Sequence, residues 1–181
     1  MNVLPDIRND AILNFHSKEY GFFAEGYRIA ADYLIKYCLI EQLHYRDSID
    51  VVVFPIVFNY RQHIELRLKE IISCLNGRSG QEGTTFKHHK IDQLWNDLKL
   101  VYSKFGNSNC DDFKNAERII LEFSGIDSTS MTFRYPVDTK GYSLLAVDRV
   151  NLRNFGEVME RLSNFLSCLL DEAVSPRSFQ K

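Results

Sequence analysis

Apolar residues recur every three or four positions in five separate segments of the sequence. This spacing matches the turn of an α-helix, so each segment would place its apolar side chains on one face. The clearest example contains Ile91, Trp95, Leu98 and Phe105. Helices of this kind must pack their apolar faces together, which predicts an all-α fold, an up-and-down bundle of about five helices.

Capping residues, prolines and glycines predict where these helices begin and end. Ser17 can cap the first helix, while Pro55 suits the first turn of the second and Gly77 the position after its end. The predicted ranges are about 17–44, 50 or 55 to 75, 84 or 85 to 106, 111–123 and 148–173. The buried face of the first helix is expected to contain Phe23, Tyr27, Ala30, Leu34 and Cys38. The polar, glycine-rich stretch 76–85 is expected to be a mobile loop.

The pattern changes between Thr129 and Val147. Met131, Phe133 and Tyr135 alternate with polar residues, the letters DTKG offer a turn, and YSLLAV follows as a second extended run. Alternation with a period of two is typical of a strand. We therefore predict a small β-hairpin before the last helix.

Size and composition favour one domain spanning residues 1–181. Of the 181 residues, 45% are hydrophobic and 25% charged, which is enough apolar surface for a single core. The net charge of -2 means that contact with nucleic acid needs a local basic patch. No signal peptide or long apolar run occurs, which predicts a cytoplasmic protein without membrane contact. The four cysteines are far apart, and we expect reduced core thiols.

Arg61 is the most unusual polar residue, because it lies on the same helical stripe as Val57, Ile64 and Leu68. A buried guanidinium needs a carboxylate or several acceptors, and Glu65 lies one turn along the helix at i+4. Two interpretations follow. The pair is either a structural ion pair inside the bundle or a site where Arg61 binds a phosphate in a cleft between helices.

His88 precedes Ile91 and Trp95 by three and seven residues, which places it on the predicted buried face of the third helix, while His89 points elsewhere. It is either a core or capping residue, or part of a phosphate site at the helix N-terminus beside Lys87.

Arg134 stands between the aromatic residues Phe133 and Tyr135, and Asp138 follows shortly after. A base could stack on Tyr135 while Arg134 holds a phosphate. The other interpretation is that the aromatic residues anchor the hairpin to the bundle.

Searches for standard motifs find no phosphate-binding glycine loop, no H-E-x-x-H, no paired C-x-x-C and no nucleophile elbow. We therefore predict no metal site and no cofactor, and most standard enzyme classes lose support.

Three strings in order, YRQHIELRLKEII from Tyr60, HHKIDQLW from His88 and FRYPVD from Phe133, resemble a branch of the HEPN domains, the higher eukaryotes and prokaryotes nucleotide-binding superfamily. The resemblance covers about residues 49–168. It implies an up-and-down helical bundle that commonly forms a homodimer with polar residues of both subunits in a shared cleft. Many HEPN relatives are metal-independent ribonucleases of toxin–antitoxin, CRISPR or phage-defence systems. Their motif is an arginine followed, after four to six residues, by a histidine.

This sequence departs from that motif, because only one residue separates Arg61 from His63 and nine separate Arg78 from His88. The leading hypothesis is a non-catalytic HEPN-like module of a bacterial defence, toxin–antitoxin or stress system that binds nucleotide, RNA or a protein from a neighbouring gene. Its predicted ligand-binding residues are Arg61, Glu65, His88, Arg134, Tyr135 and Asp138. One alternative is a divergent metal-independent ribonuclease in which His88 acts with Arg61 or Arg134. The other is a structural helical adaptor.

Overall fold

The computed structural model of the chain describes residues 11, 13, 19–40, 46–81, 83–145 and 147–175. Within these residues the protein is a bundle of five α-helices, as the periodic pattern predicts. They are α1 (Tyr20–Ile40), α2 (Arg46–Arg78), α3 (Ile91–Tyr102), α4 (Asp111–Ile126) and α5 (Leu152–Val174). Each helix packs against the next in the chain, and α5 returns to contact α1 and α2. The predicted cap Ser17 and the predicted end of the first helix at His44 lie outside the described residues.

The central helix is α2, which packs against α1, α3 and α5. Its predicted stripe is confirmed, because Val57, Ile64, Leu68 and Leu75 are all buried. Both predicted ends of this helix were wrong, since Pro55 and Gly77 lie inside it. A proline removes one helical hydrogen bond, but partly buried apolar residues before it pack against the core and keep that turn helical. These are Ile49, Val52, Val53 and Phe54.

The orientation of α1 differs from the prediction. Of the predicted face, Cys38 is buried and Leu34 packs partly buried against the core, but Phe23 is half exposed, and the buried Ala24 and Ala31 were not predicted. Apolar residues surround this helix on most sides, so the sequence pattern could not decide which face meets α2. Gly21 allows the close approach of the two helices, because a Cβ there would overlap the Glu70 carboxylate of α2.

The third helix begins later than predicted. Neither Thr84 nor Thr85 caps it, because residues 83–90 are not helical and Lys90 is the N-cap residue. His88 therefore lies in a loop and not on the helix. The predicted start of α4 at Asp111 and its predicted buried face are confirmed, but the helix continues past the predicted end at Phe123 to Ile126. That face contains Phe113, Ala116, Ile120 and Phe123.

The segment between α4 and α5 contains turns where we predicted a β-hairpin. Among its described residues there is no strand, only a single antiparallel bridge between Val137 and Ser143. Carboxylates organise the turns instead, since Asp127 Oδ1 accepts hydrogen bonds from the backbone N–H groups of Met131 and Thr132 at 2.9 and 3.1 Å. These local bonds occupy donors that a strand would use for pairing.

Cysteine burial also differs from the expectation of core thiols. Only Cys38 is buried, Cys74 is partly buried, and Cys110 and Cys168 are exposed; all four are free thiols. In the part of the chain that the structure describes, no helix combines the length and apolarity needed to cross a membrane.

Candidate functional site

Arg61 lies in the middle of α2 and is completely shielded from solvent. Its Nη1 donates a hydrogen bond to Glu65 Oε2 at 3.1 Å, and its Nη2 donates to the backbone carbonyl of His89 at 2.6 Å. The i+4 pairing predicted from the sequence is therefore present. The second contact ties α2 to the loop that precedes α3.

Glu65 is the centre of this buried cluster. Besides Arg61, its carboxylate accepts hydrogen bonds from Lys69 Nζ and from His89 Nδ1, both at 2.7 Å. Burial alone raises the pKa of the Glu65 carboxyl, but hydrogen bonds from Lys69 and His89 and the neighbouring positive charges outweigh it, so the pKa lies below its usual value. Lys69 is buried like Arg61, so the Glu65 carboxylate forms ion pairs with two buried cations.

Two further carboxylates act on Arg61 from outside α2. Asp92 in the first turn of α3 and Asp127 after α4 both stabilise the charged form of the guanidinium. Arg61 Nε, Asp92 Oδ1 and Asp127 Oδ2 are buried and have no hydrogen-bond partner among the described residues. The cluster therefore connects α2 with α3 and with the residue that follows α4, and Arg61, Glu65, Lys69 and Asp127 are all buried.

His88 is not part of this cluster. Its Nε2 lies 3.2 Å from Asp97 Oδ2 of α3, and its side chain is partly buried. The neighbour His89, which the helical pattern excluded, is the residue that contacts Glu65. The side chain of His89 is 78% exposed, so it covers the buried charges from the solvent side. Helical periodicity could not distinguish the two histidines because neither is in a helix.

Arg134, Tyr135 and Asp138 form contacts of their own. The Arg134 guanidinium lies 4.9 Å from the centroid of the Tyr135 ring and 5.7 Å from that of Phe58 on α2. Asp138 Oδ1 accepts hydrogen bonds from the backbone N–H groups of Lys140 and Tyr142 at 2.8 and 2.9 Å. Within the described residues, no hydrogen bond or ion pair connects this group with Arg61, Glu65 or His88.

His63 is a buried polar residue to which sequence reasoning gave no role. Its Nδ1 lies 3.0 Å from the Ala24 carbonyl of α1, which can only accept, so Nδ1 carries the proton. Its Nε2 therefore accepts a hydrogen bond from the Ser163 hydroxyl of α5 at 3.0 Å. Burial lowers the pKa of His63 to about 4. The neutral imidazole thus links α1, α2 and α5. Because its two partners lie on other helices, no local sequence motif marks the contact.

Among the described residues, no group of three or more His, Cys, Asp or Glu side chains is arranged to hold a metal ion. Comparison of the chain with protein-family models, curated proteins and solved structures gave no match.

Proposed function

We propose that this protein is a non-catalytic, homodimeric HEPN-like module that binds a phosphate-bearing ligand, a nucleotide or RNA. The absence of catalysis is supported by the two candidate catalytic residues. Arg61 is shielded from solvent and engaged by Glu65 and a backbone carbonyl, and His88 is engaged by Asp97. A general base and a phosphate-binding arginine need access to the same substrate. The place of this module in a cytoplasmic bacterial defence, toxin–antitoxin or stress system rests on the HEPN resemblance.

The observation that carries the homodimer is the outer face of α1, and the ligand class rests on the HEPN resemblance. Its exposed residues include Phe23, Ile29, Tyr33 and Tyr37, and Tyr33 is 68% exposed. Lys36 is the only charged residue among the exposed positions of α1 that the structure describes. Solvent-facing helix surfaces are ordinarily rich in charge, so a long apolar face of this kind is typical of an interaction surface.

A second copy of the chain fits this face. In an antiparallel pair with its two-fold axis between Ile29 and Ala30, Tyr33 of each copy would lie opposite Gly26 of the other. A Cβ at Gly26 would meet nothing within 4 Å, so the space beside it is open to a large side chain. The same register places Lys36 opposite Phe23, a favourable cation–π pair. In this register Tyr33 faces Gly26 and Lys36 faces Phe23 in both directions. The face is therefore complementary to itself, as a two-fold interface requires.

The substitution Tyr33→Glu should convert the wild-type dimer into a monomer. A two-fold interface would contain the new carboxylate twice among largely apolar side chains, and Lys36 could pair with it only by giving up its position over Phe23. Sedimentation velocity across the micromolar concentration range measures the change. Leu100→Glu is the matched control, because Leu100 is 71% exposed on α3 and lies outside the proposed interface, and it should leave the dimer intact. A monomeric wild type would contradict the homodimer and favour a protein partner from a neighbouring gene.

Mixed cellular RNA incubated with the pure wild-type protein should remain intact, because Arg61 cannot reach a substrate phosphate while Glu65 and the His89 carbonyl hold it inside the bundle. Gel analysis against RNA incubated without protein checks this result. Cleavage that disappears in His88→Ala would support the metal-independent ribonuclease instead, with Arg61 or Arg134 as its phosphate-binding group. A protein that neither cuts nor binds RNA or nucleotide would support the structural adaptor.

A further inference from the structure

A groove runs between α4 and α5, outside the Arg61 cluster. It consists of two adjoining cavities of about 670 and 500 Å³. Arg118 and Ile119 of α4 and Val158 and Arg161 of α5 line both cavities, so the two cavities form one continuous groove. Cavities of this size are typical of sites for small molecules.

The smaller cavity is strongly basic for a chain with a net charge of -2. Three arginines line it, Arg118, Arg149 and Arg161, and Glu122 is the only acidic residue, so three positive charges minus one negative charge leave +2. Glu122 compensates little, because its oxygen lies 3.5 Å from Arg118 and both side chains are about two-thirds exposed. Within the described residues, no carboxylate forms an ion pair with Arg149 or Arg161.

Counted over both cavities, the three arginines are matched by Asp112, Glu122 and Glu172, so the positive excess is confined to the end of the groove that Arg149 lines. A third groove, between α1 and α5, is balanced as well. That groove has an equal number of charges of each sign. They are Arg28, Lys36 and Arg153 against Asp32, Glu157 and Glu160. The cavity in which Arg149 joins Arg118 and Arg161 is therefore the basic end of the groove, the local patch that a chain of this composition needs in order to bind an anion.

The wall of the basic cavity opposite solvent is apolar and partly aromatic. Phe123 of α4 and Phe155 of α5 line it, with ring centroids 6.0 Å apart and nearly perpendicular planes. Val158 and Met159 extend the apolar surface along α5. An apolar wall beside several guanidinium groups suits a molecule that combines a ring with a phosphate.

The adjoining larger cavity limits the length of such a ligand. Asp112 and Glu172 line it, and the arginines they face, Arg118 and Arg161, are the two that it shares with the basic cavity. A nucleic-acid strand continuing along the groove would bring its next phosphates towards these two carboxylates. The charge distribution therefore favours a single phosphate-bearing molecule over a polyanion.

We infer that the basic cavity between α4, α5 and residues 147–151 binds a mononucleotide, with its phosphate held by Arg118, Arg149 and Arg161 and its base against the apolar wall. This inference rests on the proposed function and names its ligand and location. It also separates the ligand site from the α1 face and from the buried Arg61 cluster, neither of which lines this cavity.

Isothermal titration calorimetry on the full chain tests the inference with AMP, UMP, adenosine and inorganic phosphate. At least one of the two nucleotides should bind, and adenosine and phosphate should each bind at least tenfold more weakly, because each lacks one half of the contacts. The double substitution Arg118→Gln with Arg161→Gln should lower nucleotide affinity at least tenfold. Arg153→Gln is the matched control, an exposed α5 arginine that lines only the other groove, and it should leave the affinity unchanged.

A second variant, Val158→Trp, should also weaken nucleotide binding, because the larger side chain would occupy the space beside the apolar wall. Thermal melting confirms that each variant is folded. A six-residue adenine RNA provides the remaining comparison. If this RNA binds and AMP and UMP do not, or if the arginine variant binds nucleotide normally, the inference is wrong and the proposed function stands. If neither nucleotide nor RNA binds the wild type, the ligand part of the proposed function is wrong as well.

Discussion

Replacing Glu65 with alanine should lower the free energy of unfolding by about 3–5 kcal/mol. The carboxylate of Glu65 is the hydrogen-bonding partner of two buried cations, Arg61 and Lys69, and it also accepts a hydrogen bond from His89. Its removal leaves both positive charges inside the bundle without that partner. The energy of a buried charge that loses its ion pair exceeds that of most lost contacts, and Asp92 and Asp127 act on Arg61 without forming a hydrogen bond with it. Urea denaturation followed by circular dichroism measures the change.

The exposed pair of Arg118 and Glu122 provides the control for this experiment. Glu122→Ala removes a carboxylate at the same i+4 spacing, but both side chains are about two-thirds exposed, so the loss should stay below about 1 kcal/mol. Conversely, replacing Arg61, Glu65 and Lys69 together with apolar residues should recover much of the stability lost in Glu65→Ala. If Glu65→Ala and Glu122→Ala lower the free energy of unfolding by the same amount, water must reach the Arg61 cluster, which is then not buried.

Acidification from pH 6.5 to 5 should lower the free energy of unfolding by about 2 kcal/mol through His63 alone. The pKa of His63 is about 4 in the folded protein and 6.5 for an unperturbed histidine. Between these two pH values His63 binds a proton in the unfolded chain but not in the folded protein, so lower pH favours unfolding. The stabilising contribution is fully present above pH 6.5 and is lost as the pH falls towards 4. Urea denaturation at several pH values measures the slope.

His63→Asn is the variant that isolates this effect. It has no titrating group, and its amide can still donate to the Ala24 carbonyl, so the variant should be less stable at neutral pH but lose its dependence on pH between 6.5 and 5. The window ends at pH 5 because Glu25 and Glu65 have pKa values below the ordinary 4.5, and their own protonation destabilises the fold at lower pH. Identical slopes for wild type and variant would show that His63 is protonated in the folded protein.

Both experiments bear on the assignment of function, because they separate stability from binding. The Arg61 cluster and His63 hold α2 against its neighbours, whereas the proposed ligand groove lies between α4 and α5. Loss of stability in Glu65→Ala without a change in nucleotide affinity at low temperature would agree with this division of roles.

Helices with one apolar face were predictable from the sequence. Phe113, Ala116, Ile120 and Phe123 of α4 are buried as their spacing predicts, because most of the exposed positions of that helix are charged and indicate which face meets solvent. The pairing of Arg61 with Glu65 was predictable for a related reason, since side chains four residues apart on a helix are neighbours in any tertiary arrangement. These are properties of the local turn, and they do not depend on what packs against it.

Features that depend on contacts between distant segments were not predictable. The sequence pattern placed Phe23 inside and offered Pro55 as a helix start. Packing against α2 turned Phe23 outwards, and the apolar residues before Pro55 pack against the core and keep it within α2. Hydrogen bonds to Asp127 replaced the predicted hairpin with turns.

The candidate sites show the same division. The sequence by itself determined that five amphipathic segments form a helical bundle and that a buried arginine needs its glutamate. Tertiary structure decided that His89 and not His88 joins Glu65, that His63 links α1 to α5, and that Arg118, Arg149 and Arg161 share one cavity. These residues lie up to 100 positions apart along the chain. Spacing along a helix defines neighbours within one or two turns, whereas the proximity of residues on different helices depends on how those helices pack.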